Sequence, residues 1–130
     1  MLLGLKSDAP VAELYLYDEA GELVGEVSWE ANRQLAHGLL KKIDEFLTEN
    51  GTAREQLSGL FAFEGPGSFT GLRIGLTVMN TLAYAENVPI VGAKGDEWRT
   101  AAISRLRSGG NDQVVMPFYG AEARITQPKK

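Results

Sequence analysis

The stretch "EGPGSFTGLRIG", residues 64–75, sets four glycines, a proline and two hydroxyl residues between two apolar segments. The segment before it, "SGLFAFEG", is short, apolar and bounded by turn residues, the pattern of a buried strand. The segment after it predicts a helix from Ser68 to about Glu86. A strand that turns through glycines into a helix leaves free amides and the positive end of the helix dipole facing outward, where an anion can sit. Gly67, Ser68, Thr70 and Arg73 are the candidate residues for such an anion site. The stretch lacks the Lys that follows glycine in a P-loop, and it lacks G-x-G-x-x-G spacing, so neither nucleotide fingerprint is met. The alternative is structural: Pro66 and Gly67 make a tight turn and Ser68 caps the helix.

The helix itself carries more information. Gly71 and Gly75 lie one turn apart inside it, and each costs about 1 kcal/mol relative to alanine, so their presence calls for close backbone approach. Leu72, Leu76, Met79 and Ala83 form one apolar stripe, and Ile74, Val78, Leu82 and Ala85 form another. A surface helix needs one such face. With two, it is either sandwiched within its own domain or covered on its second face by a partner helix.

The rest of the chain supplies the frame. Leu2 to Leu5, "VAELYLYD" and "ELVGEVSW" read as three strands in meander order, with Asp18 and Gly21 suited to the turn between the last two. From Asn32 onward, Leu35, Ala36, Leu39, Leu40, Ile43, Phe46 and Leu47 recur at helical steps, and Gly51 follows as a stop. After the glycine-rich helix, Pro89 pushes Val88 toward extended geometry and "IVGA" reads as a second short buried strand. Trp98, Ala102 and Leu106 are then spaced four apart in a third helix, with Asp96 as N-cap and Gly109 as stop. A last strand is expected around Val114 to Tyr119, followed by a polar, basic end. The order β-β-β-α-β-α-β-α predicts one three-layer α/β unit, with residues 1–108 as the lobe and 109–130 as a short strand and tail.

Composition removes most catalytic chemistries. The chain has 130 residues, no cysteine and one histidine, which excludes disulfides, thiolate zinc sites, cysteine nucleophiles and nearly all His-based metal sites. A formal charge of −4 argues against a dedicated nucleic-acid surface, which needs clustered Lys and Arg. With no long apolar run and no signal-type N-terminus, a cytoplasmic protein is expected. Glu64 has no second carboxylate visibly paired with it for acid–base work. His37 falls off the main apolar face of its helix. Arg73 could reach an anion or form an ion pair, and Ser68 has no base at readable spacing.

"GPGSFTGLRIGL", followed by a helix and then "NVPIVG", resembles the signature of the TsaB-type (YeaZ-like) subunits of the bacterial tRNA threonylcarbamoyladenosine system. The resemblance runs from about Leu2 to Gly92. It implies a ribonuclease H-like single lobe of the actin-like and Hsp70-like (ASKHA) ATPase fold, and a non-catalytic role beside TsaD, the paralogous catalytic subunit. The pairing is implied to use the first two helices, here through Leu35, Leu39, Leu40 and Ile43, and through Ser68, Phe69, Gly71, Leu72, Gly75, Leu76 and Met79. A TsaE-like ATPase is a further implied partner, tRNA would be met only through the complex, and a homodimer is expected when the protein is alone. No catalytic residue, metal ligand or cofactor of its own is expected, with ATP and metal belonging to the assembled complex.

Two departures from that pattern bear on function. The family's opening strand ends in Asp and Thr, whereas this chain reads "LLGLKSD", with Lys6 in the place of the Asp. A lysine is no ligand for a hard metal. Leu35 stands where the family carries a first-helix histidine, so His37 inherits no role. Fuller members carry a second, C-terminal lobe, for which this chain is too short. The rival readings are a nucleotide-binding or hydrolytic enzyme of the same fold, using the loop from Gly65 to Thr70, and a homodimeric interaction protein.

Overall fold

The structure, a computed structural model, describes residues 1–31, 35–67 and 69–118, with only the backbone described at Phe69. Strands β1 (Leu2–Lys6), β2 (Val11–Tyr17) and β3 (Leu23–Glu30) form an antiparallel meander. Asp18 shapes the turn between β2 and β3, its Oδ1 accepting the amides of Ala20 and Glu22 at 2.9 Å each. Helix α1 (Leu35–Glu49) follows, then a short 3-10 turn at Arg54–Gln56 and strand β4 (Gly59–Phe63). Helix α2 (Phe69–Glu86), strand β5 (Ile90–Ala93) and helix α3 (Trp98–Arg107) complete the regular elements. The sheet order is β3-β2-β1-β4-β5, with β4 parallel to β1 and to β5. This is the three-layer α/β architecture of an ASKHA-type lobe.

Strand alternation divides the apolar residues between two layers. Leu3, Leu5, Leu14, Leu16, Leu60 and Ala62 meet Leu39, Ile43, Phe46, Leu76 and Met79 from α1 and α2 in one core. On the other side of the sheet, Phe61, Phe63, Tyr15 and Tyr17 pack with Trp98, Ala102 and Ile103 of α3. Trp98 is the hub, its ring 5.6 Å from both Phe61 and Phe63 and 5.9 Å from Tyr15. Trp98, Ala102 and Ile103 together fix α3 against this face.

Two local expectations are corrected. Asp96 does not cap α3: the cap position is Glu97, whose side chain makes no capping bond, because the turn through Gly95 (φ +85°) delays the helix to Trp98. Residues 114–118 of the expected last strand join no sheet, since their backbone groups bond to the Asn80 side chain and to Glu64 O rather than to a ladder. Helix α1 is described over Leu35–Glu49. The start expected at Asn32, the Ser68 cap and Tyr119 lie outside the described residues. The helix stops do fall at Gly51 and Gly109, both at positive φ, with their amides bonded to Thr48 O and Leu106 O.

Candidate functional site

Strand β1 delivers Lys6, Ser7 and Asp8 to the first turns of α2, and this contact explains the glycine spacing. Ser7, almost fully buried, donates its hydroxyl proton to Gly71 O at 3.0 Å. A Cβ on Gly75 would overlap Ser7 Oγ and come within 3.0 Å of Leu5 Cδ2. A Cβ on Gly67 would overlap the Asp8 side chain and approach Asp8 O to 3.0 Å. The glycines therefore admit the end of the protein's own first strand. Gly75 is withdrawn from the expected partner surface, because its open side faces the sheet.

The same strand ends hold two ion pairs. Lys6 Nζ lies 2.6 Å from Asp8 Oδ1 and 4.6 Å from the centre of the Phe63 ring. Lys94 Nζ lies 3.2 Å from Glu64 Oε1 and 4.8 Å from the centre of the Phe118 ring. In open α/β sheets the carboxyl ends of the parallel strands are where ligands bind. Here each ammonium there is matched by a carboxylate and stacked on an aromatic ring. Lys6 is no ligand for a hard metal, and among the described residues no group of three His, Cys, Asp or Glu is placed to hold a metal ion. Of the anion-site candidates, Gly67 sits against Asp8, Thr70 is exposed, Arg73 lies on the outer side of α2, and Ser68 is outside the described residues.

The first two helices pack side by side on the sheet, and the structure corrects which of their residues are free. Leu35, Leu39, Ile43, Leu72, Leu76 and Met79 are buried in the protein's own core, none more than 5% exposed. These side chains are used mainly within the fold, though Leu76 also lines a surface hollow with Arg73, Thr77 and Val115. Leu40 remains outside, at 45% exposure. Gly71 is half-buried and carries the carbonyl that Ser7 engages; the side chain of Phe69 is not described. The outer face that remains contains a groove of about 380 Å³ lined by Ala36, Arg73, Ile74, Thr77 and Val78. Ile74 and Val78, from the second stripe of α2, rest on the core by one side only. His37 is exposed.

A segment that the periodicity did not reveal borders this face. Residues 111–118 run as a strap from the β5 edge to the glycine turn. Asn111 Oδ1 accepts Ile90 N–H at 3.1 Å, Asp112 N–H donates to Ile90 O at 2.7 Å, and Asp112 Oδ2 accepts Gly92 N–H at 2.9 Å. Arg105 closes the set, donating to Gly92 O at 3.3 Å and to both Asp112 carboxylate oxygens at 2.5 and 3.1 Å. Its guanidinium, aided by the Gly92 amide, holds the Asp112 carboxyl below the usual carboxylate range. Farther on, Val115 is buried and exchanges two bonds with Asn80, N–H to Oδ1 at 2.8 Å and Nδ2 to O at 3.0 Å. Phe118 N–H then donates to Glu64 O at 2.7 Å, beside the turn. The sequence signal for the strap was "ND" after Gly110, two short side chains able to imitate a strand's backbone groups.

Comparison with known proteins identifies the relatives of this arrangement. Residues 22–120 match the family described as "TsaD: tRNA N6-adenosine threonylcarbamoyltransferase". The tRNA threonylcarbamoyladenosine biosynthesis protein TsaB of Escherichia coli (strain K12) is 35% identical over 83 residues, covering 64% of this chain and 35% of that protein. TsaB of Bacillus subtilis (strain 168) is 33% identical over 119 residues, covering 90% of this chain and 43% of that protein. Among solved structures, YeaZ from Pseudomonas aeruginosa superposes with a TM-score of 0.65 at 29% identity, covering 72% of this chain and 43% of that one. The chain thus spans less than half the length of these relatives.

Proposed function

Because the chain belongs to the TsaD family of tRNA N6-adenosine threonylcarbamoyltransferases, we propose that it serves tRNA threonylcarbamoyladenosine formation as a TsaB-like, non-catalytic assembly subunit. Its partner on this reading is a TsaD-like paralogue, and the contact is made by the outer faces of α1 and α2. The observation that carries the reading is the contrast between two surfaces. The strand ends, where a nucleotide would be expected, are neutralised by Lys6–Asp8 and Glu64–Lys94. The α1–α2 face keeps exposed Leu40 and an apolar-walled groove with Ile74 and Val78. A partner that binds only the active arrangement of the catalytic subunit raises its population by the difference in affinity between states. ATP, metal, a TsaE-like ATPase and tRNA would then meet this chain only in the assembled, cytoplasmic complex. No helix among the described residues is long and apolar enough to cross a membrane.

The test is a pull-down and titration of the 130-residue chain against the TsaD-like paralogue from the same genome. Ile74→Glu with Val78→Glu places two charges on the outer face, where neither side chain is fully buried. The expected result is loss of complex in a variant that still folds cooperatively, with a melting temperature lowered only modestly for that reason. Wild-type affinity in the double variant would sink the assignment. Concentration-dependent self-association that the same variant abolishes, with no TsaD binding by the wild type, would make the face a homodimer surface instead.

A further inference from the structure

On the side of the sheet opposite the α1–α2 pair, a groove of about 520 Å³ runs between the β2–β3 turn and α3. Its lining includes Tyr17, Gly21, Thr100, Ser104 and Arg107, and none of the described residues that line it bears a carboxylate. Among the described residues Arg107 forms no ion pair. Its side chain runs past Gly21, Nη1 lying 3.7 Å from where a Cβ would stand. Of the acidic side chains in the neighbouring turn, Asp18 and Glu19 are engaged elsewhere, and Glu22 is exposed. Asp18 Oδ1 holds the amides of Ala20 and Glu22, and Glu19, which with Arg107 borders the adjoining hollow, pairs with the Met1 amine and Ser58.

The polar side chains that remain can all donate hydrogen bonds. Arg99 Nη1 donates to the Tyr17 hydroxyl oxygen at 2.9 Å, which leaves the Tyr17 proton to be given to something else. Thr100 and Ser104 stand one turn apart on α3 and add two hydroxyls to the same lining. Helix α3, Trp98–Arg107, carries three arginines and no acidic residue in a chain of net charge −4. Arg105 is committed to Asp112, Arg99 is engaged by the Tyr17 hydroxyl and the Tyr15 ring, and the guanidinium that lines the groove itself is that of Arg107. A guanidinium, several hydroxyl donors and no carboxylate suit an oxyanion with more than two acceptor oxygens. We propose that this groove binds a phosphate group, held by Arg107 with Tyr17, Thr100 and Ser104. The proposal is independent of the partner surface, which lies across the sheet. A free phosphate ester and the backbone of an RNA share the chemistry, and the test separates them.

The experiment is an amide chemical-shift titration of the 130-residue chain with inorganic pyrophosphate, and separately with a short single-stranded RNA. Saturable shifts at Gly21, Thr100 and Ser104, weakened about ten-fold or more in Arg107→Ala and little changed in a Lys41→Ala control, are expected. Melting temperatures check that Arg107→Ala, at an exposed position, leaves the fold intact. RNA binding at the same amides, with a salt dependence that falls by about one ion in Arg107→Ala, assigns the source to a nucleic-acid backbone. Pyrophosphate shifts without RNA shifts assign it to a free phosphate. No saturable shift in the groove, or equal affinities in wild type and Arg107→Ala, would overturn the proposal.

Discussion

Gly75 of α2 lies against Ser7 of β1 so closely that a single added carbon would overlap the serine hydroxyl. The serine in turn bonds Gly71 O, one helical turn earlier. Helix and strand end are thus locked at one point. Gly75→Leu should lower the melting temperature of the isolated protein by several degrees, because overpacking costs roughly 1–3 kcal/mol or more while losing a helix glycine returns only about 1 kcal/mol. Ser7→Gly in the same chain should recover part of the loss. A Leu variant that melts at or above the wild-type temperature would show that the glycine does not face the strand.

The two ion pairs at the strand ends predict how nucleotide behaves. Calorimetric titration of the isolated chain with Mg-ATP should give no saturable isotherm in the low micromolar range. Asp8→Asn with Glu64→Gln removes both carboxylates and leaves Lys6 and Lys94 unmatched. That double variant should gain affinity for ATP without magnesium. Tight binding by the wild type, lost when Gly67 is enlarged, would favour the enzymatic reading over assembly.

Asp112 makes the strap sensitive to acid. Its pKa is lowered in the folded protein, chiefly by the Arg105 hydrogen bonds. Its stabilisation is therefore complete above the unfolded carboxylate value, about 4, and is lost as pH falls through the lower folded value. Amide shifts of Gly92 and Val115, followed from pH 6 downward, should move before the global unfolding transition. Asp112→Asn should remove that early step and loosen the strap at neutral pH. Identical acid profiles in the two proteins would contradict the assignment.

Asn80 predicts the strap's second anchor. Asn80→Ala leaves the buried Val115 N–H and C=O without their partners, at a cost of about 1–3 kcal/mol. Asn80→Asp keeps the acceptor for Val115 N–H and loses the donor to Val115 O, so it should fall between. Limited proteolysis within residues 113–118 should follow the same order. Equal cleavage in all three proteins would mean that the strap is held from its ends alone.

Element order and fold class could be read from the residues before any tertiary contact was known. Local periodicity is sufficient for that: Leu35, Leu39, Ile43, Phe46 and Leu47 mark one helix face, and all five are buried. The turn at Gly21 and the stops at Gly51 and Gly109 were equally legible, since positive φ selects glycine. Tertiary structure alone decided what the second helix does with its two apolar stripes. Periodicity shows that a helix has two apolar sides, but not which one meets the sheet. It also could not show that Gly75 accommodates Ser7, 68 residues earlier in the chain. The strap was hidden for a related reason. Its bonds join Asn111 and Asp112 to a strand edge, Val115 to Asn80 and Phe118 to Glu64, and such side-chain and long-range backbone pairings leave no repeat in the sequence. The matched charges at the strand ends have the same origin, because Glu64 finds Lys94 only after β4 and β5 lie side by side.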